Sequence, residues 1–342
     1  GPPAVGSSSG QPSPASGTPT TTTTPTAASQ TSRPAGLAAA GNSKTNCLFV
    51  GSYPWQAQLA ADEQSTSMTY NCLETYANAD PTWADWVSPW VTSPSVGYAE
   101  WLQASPETRT MVLTIDLIPD AVSDNADPAT WEGPCDAGDY DGYATELGEN
   151  LVASGFEYSI IRLGAEANGG WENDFVGTTT AEQSDWAACF AQEVTAMRAV
   201  PGAHFLFDWN VNSCYEAIPF ASYYPGDAYV DVIGIDQYDA SCTTTLPGPT
   251  AAGWNELAAE PGGLDAFAAF AAQVGKPMSI PEWGLESSPN GDDPYYVNGI
   301  GGFVADNDVS FECYFDSGDD GILQMGTDLP QSLAAYQEQF GN

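Results

Sequence analysis

The sequence predicts an α/β chain: a (β/α)8 TIM barrel preceded by a disordered Pro/Thr/Ser-rich linker. Three observations carry this expectation. From Asn46 onward, short β-branched or apolar runs alternate with helix-patterned stretches, the order that builds a parallel sheet. Eight such runs fall in about 300 residues, which favours closure into a barrel over an open doubly wound sheet. Residues 1–42, by contrast, are dominated by Gly, Pro, Ser, Thr and Ala, with an unbroken threonine run from Thr20 to Thr24. Such a segment has too few apolar groups to offset the entropy of ordering. The chain therefore divides into a linker, 1–42, and one barrel domain, 43–342. The linker composition suits O-linked sugars and the tethering of a carbohydrate-binding module or a cell wall.

The expected strands are Cys47–Tyr53, Asn71–Tyr76, Thr110–Leu117, Tyr158–Leu163, His204–Trp209, Val230–Ile235, Met278–Pro281 and Val309–Phe315. Helix patterning covers Trp55–Glu63, Ala144–Ala153, Asp185–Val200, Leu264–Val274, Ile300–Asn307 and Leu329–Phe340. Leu264, Phe267, Phe270 and Val274 recur at helical spacing and mark a stripe that packs on a sheet. No apolar run approaches the ~18 residues that a membrane-spanning helix needs.

Charge narrows the partners. Asp and Glu number 45 against 6 Lys and Arg, a formal net charge of -39. Such a surface repels nucleic-acid phosphates and anionic lipids, so neither nucleic acid nor a membrane is expected as a partner. A neutral polymer is the easier substrate. Most carboxylates lack a cationic partner, so stability is expected to be higher near pH 5 than at pH 8.

Cysteine usage points to an oxidising compartment, and hence a secreted chain. The seven cysteines form no CxxC pair and there is a single histidine, His204, so no zinc site and no cofactor are expected. His204 reads as structural. Within the barrel, Cys47–Cys72 would join the first two strands, and Cys189–Cys214 the fourth helix to the loop after the fifth strand. Asp292 and Asp293, beside Gly291, offer an incomplete set of calcium ligands and read as a solvated loop.

Barrel chemistry sits at the carboxyl ends of the strands, and two strand ends carry a glutamate. The fourth runs Arg162-Leu-Gly-Ala-Glu166-Ala-Asn168-Gly-Gly-Trp171, and the seventh runs Pro281-Glu282-Trp283-Gly284. Two carboxyl groups flanking a scissile bond are what glycoside hydrolysis requires. Arg162, on the strand below Glu166, needs an anion if buried. Glu282 is the expected partner, held ionised by Arg162 and Tyr238. Glu172 is a rival to Glu166. Glu286 and Asp236 are rivals to Glu282, and Asp236 could instead orient neighbours below the site.

These segments resemble glycoside hydrolase family 26, the family of β-mannanases. Arg162 to Trp171 is similar to its acid/base strand. Tyr223-Tyr-Pro-Gly-Asp227 through Asp236-Gln-Tyr238 is similar to its sixth strand and the preceding loop. Lys276-Pro through Glu282-Trp-Gly284 is similar to its nucleophile strand. The resemblance implies a retaining enzyme of the (β/α)8 clan, with Glu166 as acid/base and Glu282 as nucleophile. It further implies endo-hydrolysis of a neutral β-glycan, β-1,4-mannan first, by a monomer without cofactor. Where the family usually has His before the acid/base glutamate, this chain has Ala165. That keeps β-1,3-xylan and mixed-linkage β-glucan open, and a catalytically inactive carbohydrate-binding barrel is the reading from another class. Expected sugar contacts are Arg162, Asn168, Trp171, Trp209, Asn210, Tyr238, Trp283, Trp83 and Trp86. Asp116 could line a subsite, and Tyr314 or Phe315 stands where the family offers a Trp platform.

Overall fold

The structure, a computed structural model, describes residues 45–51, 54–77, 81–123, 127–213, 218–240, 248–285, 290–317 and 328–341. The expected linker 1–42, Tyr53, Cys214, Cys242 and Glu286 lie outside the described residues. Eight parallel strands close into a barrel in sequence order. They are β1 (Asn46–Phe49), β2 (Cys72–Tyr76), β3 (Thr110–Ile115), β4 (Ile160–Leu163), β5 (Leu206–Asn212), β6 (Val232–Tyr238), β7 (Met278–Gly284) and β8 (Val309–Tyr314). Closure is made by β1 pairing with β8, Cys47 opposite Cys313.

Side-chain alternation sorts the strands into two apolar layers. Leu48, Leu73, Leu113, Ile161, Trp209, Ile233 and Ile280 face outward, into the main core between barrel and helices. Cys47, Cys72, Val112, Ile160, Leu206, Val232 and Phe311 face inward and fill the lower barrel. Above that inner plug the same face turns polar: Glu74, Thr114, Arg162, Asp208, Asn210 and Asp236 are all buried. The apolar floor thus sets the depth at which chemistry begins.

The helices α1 (Trp55–Thr66), α2 (Trp83–Trp86), α3 (Tyr98–Ala104), α4 (Asp120–Ser123), α5 (Ala129–Asp136), α6 (Asp141–Ala153), α7 (Thr180–Arg198), α8 (Ala251–Ala258), α9 (Leu264–Val274), α10 (Pro294–Asp306) and α11 (Pro330–Phe340) surround the strands. The helix α7 begins five residues before the expected Asp185. Thr179 and Glu182 form a reciprocal capping box there, which satisfies amides that have no partner within the helix. Asp293 caps α10 by accepting from Tyr295 and Tyr296, and Asp292 accepts from the Ser332 amide at 2.8 Å in the first turn of α11. These two aspartates cap helix starts, as their charge favours.

Two disulfides form among the described residues. Cys47–Cys72 joins β1 to β2, as the sequence suggests. Cys189 pairs with Cys135, not with Cys214, and so ties α7 to α5. These two helices pack side by side, a proximity that spacing along the chain does not reveal. Cys313 is a buried free thiol. No described helix is long and apolar enough to cross a membrane.

Candidate active site

Arg162 is fully buried on β4 and organises the polar upper barrel. Its Nη1 donates to Glu282 Oε1 at 2.6 Å, Glu74 Oε1 at 3.1 Å and Thr114 Oγ1 at 3.3 Å. Its Nη2 donates to Asn210 Oδ1 at 2.9 Å and to Asp236 Oδ2. One guanidinium therefore faces three carboxyl groups from β2, β6 and β7. It cannot neutralise all three. Burial raises Asp236 well above the usual carboxylate range and Glu74 to about 7, against the pull of Arg162.

Glu282 is the one that stays charged. Burial works to raise its pKa, but the Arg162 charge and hydrogen bonds from Arg162, Tyr76 and Tyr238 outweigh burial and lower it. Tyr76 Oη donates to Oε1 at 2.7 Å and Tyr238 Oη to Oε2 at 2.8 Å. Burial, followed by the Glu282 charge, raises both phenols, so both remain donors. Strict alternation from the outward Ile280 would have aimed Glu282 out of the barrel. The β7 ladder instead shifts register on both sides, between Gly234 and Gln237 of β6 and between Ile280 and Trp283 opposite β8. Such bulges re-aim side chains, and here Glu282 turns inward while Trp283 stays outside.

Glu166 reaches the same space by a different route. The strand β4 ends at Leu163, and Glu166 follows in a left-handed turn with φ +46°. Its place above Arg162 thus comes from the turn and not from the strand itself. That backbone is uncommon for a residue with a Cβ and costs on the order of 1 kcal/mol. Asn210 holds it by accepting from the Glu166 amide at 2.7 Å. The carboxylate accepts from Trp171 Nε1 and Asn212 Nδ2, each at 2.7 Å. One carboxylate oxygen from each of Glu166, Asp236 and Glu282 lies within 4.8 Å of the other two. The Arg162 guanidinium bonds two of these three groups, so a cation already serves this trio.

Not every expected contact is brought here. Trp171 is 53% exposed beside Glu166, and Tyr238 bonds Glu282. Asn210 bridges Arg162, Asp236 and the Glu166 backbone. Asn168 is buried with its amide spent on the Asn212 backbone, at 2.9 and 2.7 Å. Trp209 lies in the outer core against Tyr223, Phe267 and Phe270. Trp283 and Tyr314 are buried there too, packed on each other and on Tyr336. Trp86 is buried, and Trp83 stacks on Tyr143 with ring centres 4.1 Å apart. Phe315, the alternative to Tyr314, lies within 6.4 Å of the Tyr76 ring and 6.0 Å of Tyr238. His204 stacks on Tyr158, away from the site.

Sequence reasoning missed Tyr76, Glu74 and Asn212. A signal for each was present. In β2, Cys72, Glu74 and Tyr76 alternate with Leu73 and Thr75, and in β5, Asp208, Asn210 and Asn212 alternate with Phe207, Trp209 and Val211. Reading the polar series as the barrel interior places all three at the site and Trp209 outside it.

The family model for glycosyl hydrolase family 26 matches residues 155–248, which span β4 to β6. No curated protein matches the chain in sequence. Among solved structures, the YdhT protein of Bacillus subtilis is similar, with a TM-score of 0.62 and 13% identity over 86% of this chain and 85% of that one. A mannanase of Bacillus subtilis gives 0.60 and 13%, covering 86% and 84%. An endo-β-1,4-mannanase double mutant of Cellulomonas fimi gives 0.60 and 16%, covering 86% and 70%. At such identities these likenesses show the barrel fold alone.

Proposed function

We propose that this chain, a glycoside hydrolase with a family 26 segment running through β4 to β6, cleaves a neutral β-linked polysaccharide with retention of configuration. The observation that carries the mechanism is the approach of the Glu166 and Glu282 carboxylates to within 4.8 Å. Retaining enzymes hold their two carboxyl groups about 5–5.5 Å apart, whereas inverting ones leave about 6.5–9.5 Å for a water. Glu282, ionised by Arg162, attacks the anomeric carbon while Glu166 protonates the departing glycosidic oxygen. A covalent glycosyl-enzyme results. Glu166, now a carboxylate, takes a proton from water, which displaces Glu282 and frees the sugar.

The surrounding groups suit this cycle. Tyr76 and Tyr238 steady the Glu282 carboxylate, and the Trp171 indole orients Glu166. Phe315, Tyr76 and the exposed Trp171 offer apolar faces of the kind sugar rings stack on. The net charge of -39 favours an uncharged glycan. β-1,4-Mannan is the first choice, in keeping with the mannanase neighbours. Ala165, where the resemblance leads one to expect His, supports a second reading in which the sugar beside the scissile bond belongs to β-1,3-xylan or mixed-linkage β-glucan. Two buried disulfides and the Thr-rich amino-terminal segment suit a secreted monomer tethered to another module.

The test is hydrolysis of a panel of mannan, β-1,3-xylan and mixed-linkage β-glucan, with the first-formed anomer read by NMR. The expected result is a retained β-anomer, and a fall of more than about 10⁴-fold in Glu282→Ala with glycan binding preserved. First-formed product of the inverted configuration would overturn the mechanism. Wild-type protein that binds but never cleaves would make this a binding barrel.

A further inference from the structure

A second carboxylate cluster lies outside the catalytic pair. Asp116 follows β3, and Glu172 and Asp174 lie in the segment between β4 and α7. One carboxylate oxygen from each lies within 4.8 Å of the other two. Asp174 is fully buried. Its Oδ2 accepts from the Leu117 amide at 2.8 Å, while its Oδ1 has no hydrogen-bond partner. Among the described residues no Lys or Arg forms an ion pair with any of the three. Arg162 is committed to Glu74, Asp236 and Glu282. Burial, then neighbouring carboxylates, raises Asp116 to about 6 and Glu172 to about 7, and lifts Asp174 well above its ordinary value. Three acids are thus held together by the fold, and the Arg162 charge, which pulls against burial at Asp116 and Glu172, forms its ion pairs with other carboxyls.

We propose that Asp116, Glu172 and Asp174 form a calcium site that clamps the segment after β4 to the loop after β3. The donor set is all oxygen and hard, with no nitrogen or sulfur ligand, which suits calcium over zinc or copper. Calcium bonds oxygen at about 2.3–2.6 Å in flexible geometry and completes its shell with water, which suits three carboxyl oxygens gathered within 4.8 Å of one another. Magnesium demands near-octahedral geometry at about 2.0–2.1 Å and dehydrates reluctantly, so a cage of three carboxylates suits it less well. Asp116 and Glu172 are half-buried, which leaves room for water ligands and an entry path. The frame is firm: the buried Trp86 donates to the Asp116 carbonyl at 2.8 Å. Glu172 directly follows Trp171, which bonds Glu166, so the ion would fix the loop that presents the acid/base group. The sequence expectation of no metal rested on zinc spacing and on Asp292 and Asp293, which are elsewhere.

The test is calorimetric titration of EDTA-stripped full-length protein with calcium chloride at pH 7.5, alongside melting curves. Expected are one ion per chain with Kd on the order of 10⁻⁵–10⁻⁴ M and a Tm rise of about 5 °C at 100-fold excess over Kd. Affinity should fall at least ~10-fold at pH 5, where the ligands take up protons. Glu172→Gln, a partly exposed isostere, should weaken binding at least ~10-fold, as should Asp116→Asn; Asp174→Asn is the more demanding variant should it fold. Absence of a one-to-one heat at 10 mM calcium (~100 times the weaker Kd), equal binding by Glu172→Gln and Asp116→Asn, or magnesium binding as tightly as calcium would each overturn the assignment. None of these readouts depends on glycan cleavage.

Discussion

At the scale of single residues, Arg162 does what no other side chain here could. It donates from two nitrogens to five acceptors on five strands. A lysine carries one nitrogen and cannot span that set. Arg162→Lys should therefore lower kcat about 10²–10³-fold and move the acidic limb of the pH–rate profile upward, because a single ammonium shared among the remaining carboxyls no longer holds Glu282 Oε1 as the guanidinium does. Unchanged turnover in Arg162→Lys would contradict the role given to this residue. Tyr76→Phe keeps the ring that packs on Phe49 and Phe315 but removes one of the donors to Glu282 Oε1. Its expected effect is milder, about a 10-fold loss with the acidic limb again shifted upward. A profile that drops in height without moving would mean that Tyr76 serves only substrate binding.

At the scale of elements, position is set by strand ends and by what braces them. The register shift in β7 turns Glu282 inward, and the turn after β4 swings Glu166 over it. Among the helices, the Cys135–Cys189 bridge joins α5 to α7 across 54 residues of chain. Closing a loop of that length removes unfolded-state entropy equivalent to about 4 kcal/mol in the chain-entropy picture. The double variant Cys135→Ser/Cys189→Ser should lose up to that amount in denaturant unfolding, with activity of the folded fraction retained. A loss below ~1 kcal/mol would show that helix packing alone fixes the pair. The Thr179 cap is a smaller brace: Thr179→Ala should cost about 1 kcal/mol by the same measurement.

At the scale of the whole molecule, acid is the favourable condition for two reasons that add. The surface holds far more carboxylates than cations, so lowering pH relieves repulsion. The interior adds a second contribution. Burial raises Glu74 and Asp208 to about 7, Glu312 to about 8, and Asp62 and Glu132 to about 9. Each binds its proton more tightly folded than unfolded. The stability they contribute is complete below the unfolded carboxyl pKa near 4 and is lost as pH rises through about 7–9. Glu282 has the opposite sign: its pKa is lowered, so its contribution is lost as pH falls below the ordinary carboxyl range. Melting temperature should therefore peak near pH 5 and fall by at least about 5 °C by pH 8. A melt series rising toward pH 8 in calcium-free buffer would show that these carboxyls do not govern stability.

The barrel was legible in the sequence because strand-and-helix alternation is a one-dimensional pattern, and all eight strands lie on or beside the expected runs. That Glu166 and Glu282 meet was suggested by texture changes that mark strand ends and by three ordered blocks that resemble one family, and the structure brings the two carboxylates within 4.8 Å. Even the interior donors Tyr76 and Asn212 were written in the period-two polarity of β2 and β5. What linear pattern could not supply was any quantity that depends on which distant segments meet. Cys135 finds Cys189 only once α5 and α7 lie side by side. Trp283 and Tyr314 become core, not platform, because they fall on the outer face of a curved wall. The clustering of Asp116, Glu172 and Asp174 arises from two loops that touch only when β3 and β4 are neighbours. Local periodicity fixes which face a side chain takes; closing the barrel fixes what it faces.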